Sequence, residues 1–164
     1  MKPRHLVIIA AMAALWVSAA QAAPRSVLWK DLRVGAQGDA LGGEIAIRGY
    51  VLPIDREGEL VYEFMLVPWV GACSHTPPPP GDQILHVRPA QPWRLKEVFE
   101  PVTVTGELET EQTLSQLFLV DGVVRIGSDY RIRQASIAAA DRVPDARIAP
   151  GADKGAAPWK FLRK

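Results

Sequence analysis

Glu44-Ile45-Ala46-Ile47-Arg48-Gly49-Tyr50-Val51-Leu52-Pro53 begins as a strict alternation and ends in an apolar stretch closed by proline. Ile45, Ile47 and Gly49 fall on one face and Glu44, Ala46 and Arg48 on the other, the period-two signature of a strand with one face buried. Asp55-Arg56-Glu57-Gly58 then reads as a hairpin turn. The partner follows at once. Leu60 to Val70 carries one charge, Glu63, among Val61, Tyr62, Phe64, Met65, Leu66, Val67 and Trp69. A strand apolar on both faces is a central one, and Pro68 ends regular pairing or marks a bulge.

Further along, Asp82 to Val87 reads as a third strand and Pro101 to Leu108 as a fourth, with Val102 and Val104 set against Thr103 and Thr105. Arg88 to Trp93 is a connection broken by prolines. Glu111 to Val120 is the best helix candidate, because Leu114, Leu117 and Phe118 recur at i, i+3 and i+4. Asp121-Gly122 reads as a turn. Val123 to Ile126 and Tyr130 to Ile137 close the set, with Tyr130 and Ile132 opposite Arg131 and Arg133. Five or six short strands with one short helix predict a mainly β fold. A small OB-fold-like barrel is the first expectation, since closure removes exposed sheet edges; a β-sandwich or roll is the alternative.

The composition agrees. The 164 residues suit one domain, and 14 prolines with 13 glycines favour strands and turns over long helices. A formal net charge of +1 gives no basic field of the kind a nucleic acid requires. One cysteine excludes an intrachain disulfide framework.

The two ends are of different character. Lys2 and Arg4 precede an apolar run from Leu6 to Val17, and Ala20-Gln21-Ala22 is an A-x-A cleavage signal. The run is short of the roughly 20 residues a membrane span needs, so residues 1–22 read as an export signal cleaved after Ala22. The expected location is the periplasm. Residues 23–43 are a leading segment in which Val27, Leu28, Trp29 and Leu32 are candidates to pack on the body. Residues 44–142 form the expected β domain. Residues 143–164 are rich in proline, glycine and alanine, and read as a flexible tail ending Trp159-Lys160-Phe161-Leu162-Arg163-Lys164. Membrane contact is expected only through the signal or, weakly, through this basic tail.

One internal segment carries candidate chemistry. Gly71-Ala72-Cys73-Ser74-His75-Thr76 runs into Pro77-Pro78-Pro79-Pro80. Residues two apart on an extended backbone share a face, and consecutive prolines restrict the chain that follows. Ligands held in place lose less entropy on binding. A thiolate and an imidazole suit zinc or copper better than calcium or magnesium. Two ligands do not complete a tetrahedral site, and Glu63, Asp82, His86, a water or a second chain are candidates for the remainder; Met65 adds a soft thioether for copper. A homodimer sharing one ion is compatible with this count. Two other readings stand beside it. In one, the proline-rich loop and Trp69 dock an envelope partner. In the other, Cys73 is a nucleophile with His75 or His86 as its base.

Gly49-Tyr50-Val51-Leu52-Pro53, then Glu63-Phe64-Met65-Leu66-Val67-Pro68-Trp69-Val70-Gly71-Ala72-Cys73-Ser74-His75-Thr76 with the four prolines, then Gln83, resembles a bacterial exported family catalogued as domain of unknown function 3299. The resemblance spans about residues 45–88, with weaker similarity around Trp29, Leu32 and residues 102–106. It implies a periplasmic or lipid-anchored protein that accompanies envelope transport systems and has no established enzymatic activity. Its hallmark positions fall on Cys73, His75, Pro77, Pro78, Pro79, Pro80 and Gln83. This chain departs from the pattern at Trp69, where the family has tyrosine, and at Gly81-Asp82, where it has Pro-Asn. The expectation is therefore a metal-binding accessory protein with Cys73 and His75 at its centre and no catalytic role.

Overall fold

The computed structural model describes residues 23–32, 43–70, 79–119, 122–141 and 143–144. Residues 1–22, expected to be an export signal, the expected turn residue Asp121 and the chain beyond Pro144 lie outside the described residues. The elements are β1 (Arg25–Ser26), α1 (Trp29–Leu32), β2 (Glu44–Glu57), β3 (Leu60–Val67), a 3-10 turn (Gly81–Gln83), β4 (Leu85–Pro89), β5 (Trp93–Arg94), β6 (Pro101–Leu119) and β7 (Gly122–Ala139). The mainly β expectation holds.

The seven strands lie in the order β1-β2-β6-β7-β4-β3-β5, and β2 also pairs with β3. That extra pairing carries the sheet round in a partial ring. β2 is the shared strand: Glu44 to Tyr50 pair antiparallel with β6, and Tyr50 to Glu57 pair antiparallel with β3. Its two ladders meet at Tyr50, and the second shifts register between Pro53 and Asp55, where proline has no N–H to give. Opposite β2, β4 pairs with β7 in parallel, Leu85 with Tyr130 and Val87 with Ile132.

The alternation read in the sequence fills the ring. Ile45, Ile47 and Val51 of β2 share a buried cluster with Phe64 and Leu66, Leu85 and Val87, Val102, Val104 and Leu108, and Tyr130 and Ile132. Trp29 and Leu32 of α1 join this cluster, as does Val143, which composition alone assigns to the tail. β3 is apolar on both faces because it serves two cores. Phe64 and Leu66 enter the main cluster, while Met65 and Val67 pack on the other side with Leu52, Ile84, Leu117 and Ile126.

The helix expected over 111–120 does not form. Residues 101–119 are one strand, β6, paired with β7 from Val102↔Ala139 out to Leu119↔Gly122. The helical spacing of Leu114 and Leu117 is overridden by the ladder: an odd separation puts the two on opposite faces, and Leu117 is buried while Leu114 is 69% exposed. Thr113 and Ser128 hydroxyls meet across the ladder at 2.6 Å, a side-chain pairing that favours the strand. Among the described residues the one short α-helix is α1, in the leading segment. The two last strands read in the sequence are one continuous β7.

Gly49 marks where α1 rests on the sheet. A Cβ there would lie 2.5 Å from Leu66 Cγ and 2.9 Å from Trp29 Cζ2. Gly49→Ala is expected to cost about 1–3 kcal/mol by overpacking, read as a lower urea midpoint with unchanged slope; an unchanged midpoint would show that Trp29 yields freely.

Candidate functional site

Three of the chemistry-bearing side chains read from the sequence, Glu63, Met65 and His86, meet on the outer face of β3 and β4. Met65 and His86 are direct register partners, and Met65 is wholly buried. Glu63, two residues back along β3, turns one carboxylate oxygen to His86 Nε2 at 3.2 Å and the other to Arg88 Nε at 3.2 Å. On its opposite side His86 is paired in register with Arg131 of β7. Arg131 holds Glu111 of β6, which Arg133 also holds, and Arg133 reaches Glu109 as well. A row of charged side chains thus crosses four strands, carboxylates at its two ends and arginines between them, with an imidazole near its centre.

His86 is only 6% exposed. With Nε2–H donating to Glu63, Nδ1 is left as an acceptor, and it is buried with no hydrogen-bond partner among the described residues. Arg131 Nε, Asp82 Oδ1 and Trp69 Nε1 are buried without partners too. Burial pushes the His86 imidazole below the usual histidine range; Glu63 opposes that, Arg131 adds to it, and Glu111 opposes it more weakly. A histidine depressed in the folded state stabilises fully above its unfolded pKa of about 6.5 and loses that contribution as pH falls below it. Urea unfolding at a series of pH values checks this: the wild type should lose stability relative to His86→Gln below about pH 6.5, and parallel curves for the two would refute it.

The described residues on either side of the 71–78 segment are anchored in the fold. Pro68 is buried at one end and Pro79 at the other, while Pro80 is exposed. Gln83 is buried in the 3-10 turn, where Nε2 donates to the carbonyl of Trp29 at 3.0 Å and to that of Asp82 at 2.9 Å. Trp29 in turn donates from Nε1 to the Arg48 carbonyl at 2.6 Å. Gln83 therefore ties the C-terminal stem to α1 and, through Trp29, to β2.

Residues 8–139 match the family model described as protein of unknown function, DUF3299. The chain belongs to that family. The match ends at Ala139, the last residue of β7. A crystal structure of a DUF3299 family protein from Pseudomonas aeruginosa PAO1 is 26% identical, with a TM-score of 0.54 over 74% of this chain and 99% of that one. No curated protein matches the chain.

Among the residues expected to act, Cys73, His75, Pro77 and Pro78 lie outside the described residues. The structure brings Glu63, Met65 and His86 together but engages them with other groups: Glu63 with His86 and Arg88, Met65 with an apolar cluster. Among the described residues, no group of three or more histidine, cysteine, aspartate and glutamate side chains could hold a metal ion. Sequence reading missed Arg131 and Glu111 as neighbours of His86. Alternation exposed Arg131 as a face residue, but only the parallel β4–β7 pairing sets it beside the imidazole.

Proposed function

We propose that this DUF3299 family member is an exported, periplasmic metal-binding accessory protein, with Cys73 and His75 as ligands to zinc or copper and a role in envelope transport or metal handling. The observation that carries this reading is the anchored frame around the Cys73-Ser74-His75 string: buried proline on both stems, and Gln83 bonded to Trp29. A frame of that kind lowers the entropy a ligand pair loses on binding. Asp82, whose Oδ1 is buried without a partner and which directly precedes Gln83, is the described residue best suited to extend the pair. Glu63, Met65 and His86, already engaged elsewhere, are not needed for it.

Equilibrium dialysis of the reduced protein against zinc, and separately against copper(I), with elemental analysis, tests the reading. About one equivalent of one metal at neutral pH is expected, falling as pH drops below about 6.5 because the ligands protonate. Less than about 0.2 equivalents of either metal would retire it.

A further inference from the structure

Beyond the ring, β6 and β7 continue as a two-stranded arm. Residues 111–119 and 122–129 have register partners only in each other. The arm starts at a register shift between Thr110 and Thr113. Glu111 lies inside that irregular stretch and is clamped by Arg131 and Arg133. The arm's inner face contributes Leu117 and Ile126 to the cluster of Leu52, Met65, Val67 and Ile84 on the outside of the ring; its other face leaves Leu114 and Val123 69% and 56% exposed. Among the described side chains, Leu117 and Ile126 pack the arm on that face and Glu111 is paired at its base. His86 is buried beside that clamp, level with Arg131.

We propose that the β6–β7 arm is a strap over the Leu52–Met65–Val67–Ile84 face that mild acid releases, with His86 as its trigger.

A proton has one vacant place on His86, Nδ1, and the resulting N–H has no acceptor there. The groups acting on the ring are Glu63 from β3, Arg88 on β4 itself through Glu63, Arg131 from β7 and Glu111 from β6. Glu63 is already shared between His86 and Arg88. The remaining carboxylate is Glu111, so an imidazolium competes with Arg131 and Arg133 for the residue that pins the arm at its base. A buried cation without an acceptor is costly, and lifting the arm lets water reach it. Arm pairing itself is not broken, because the arm's ladder is internal.

Met65 supplies the readout. It lies fully buried in the cluster the arm covers, and its thioether carries no titrating proton. Exposed methionine is converted to the sulfoxide by peroxide, and peptide mapping of the full chain separates Met65 from Met1 and Met12. Oxidation of Met65 by dilute hydrogen peroxide should be about tenfold faster at pH 5.5 than at pH 7.5, since one coupled proton changes an opening equilibrium up to about tenfold per pH unit. The far-UV spectrum should be the same at both pH values. His86→Gln should be slow at both, and Leu117→Ser, which removes an arm contact, should be fast at both. The proposal is overturned by equal wild-type rates at the two pH values, by the same acid acceleration in His86→Gln, by acceleration that comes only with loss of the far-UV signal, or by a folded Leu117→Ser in which Met65 stays protected. Cys73 and His75 enter none of these readouts, so the metal reading and this one stand or fall separately.

Discussion

Trp29→Ala should lower stability by about 3–5 kcal/mol, the range for removing a large aromatic from a packed core. Domains of this kind are stable by only about 5–15 kcal/mol in all, so the variant is expected to be partly unfolded at growth temperature. Three losses combine. The ring, 2% exposed, leaves a void against Leu66 and the backbone at Gly49. The Arg48 carbonyl loses its donor. The truncated residue also holds Gln83 less firmly, although the Trp29 carbonyl remains, because α1 is only four residues long and its seat on the sheet is this ring. Trp29→Phe keeps most of the volume and loses the indole N–H, so it should cost about 1–2 kcal/mol. Urea unfolding followed by far-UV circular dichroism separates them. A loss under about 1 kcal/mol for Trp29→Ala would mean that the leading segment is an appendage, not part of the fold's cooperative unit.

Cys73→Ser is expected to remove metal binding while leaving the fold intact. A hydroxyl is a far poorer ligand than a thiolate for zinc or copper(I), and the bound metal should drop from about one equivalent to background. The informative feature is the combination of readouts. Lost metal with an unchanged urea midpoint supports a ligand. An unchanged metal content sinks the proposal. A lowered midpoint in protein that never bound metal identifies a packing cysteine. His75→Gln is the companion variant: a two-ligand core predicts that it loses metal as Cys73→Ser does, whereas undiminished binding would leave the thiolate acting alone.

The ring strands were legible where one face meets a core. In β2 and in the first part of β6, buried and less buried residues alternate nearly one for one, because hydrophobic burial is a local constraint that a single strand records. Beyond Leu108 the same strand stopped being legible. There one face packs on the outside of the ring and the other meets solvent, so Leu114 and Leu117 imitate a helical stripe while belonging to opposite faces. The apolar stretch of β3 marks a central strand, but does not reveal that its two faces serve two different clusters.

The site was legible as a set of residue types and not as an arrangement. Glu63, Met65 and His86 stand out in the sequence by their chemistry, and the first of them is tied to the last by a 3.2 Å contact. The arrangement is completed by Arg131, 45 positions further along the chain from His86, and by Glu111 clamped to it.

By itself, the order of residues determined the strand-rich class, the strands that face the main core, the family kinship and the Cys73–His75–proline string. These follow from side-chain period and from short-range covalent limits, which act within a few residues. Only the tertiary structure decided that β2 serves two ladders, that 111–119 is strand, and that a buried imidazole lies between a carboxylate and a guanidinium. Those outcomes depend on hydrogen-bond partners and charges brought together from distant parts of the chain, and no local window contains both halves of such a pair.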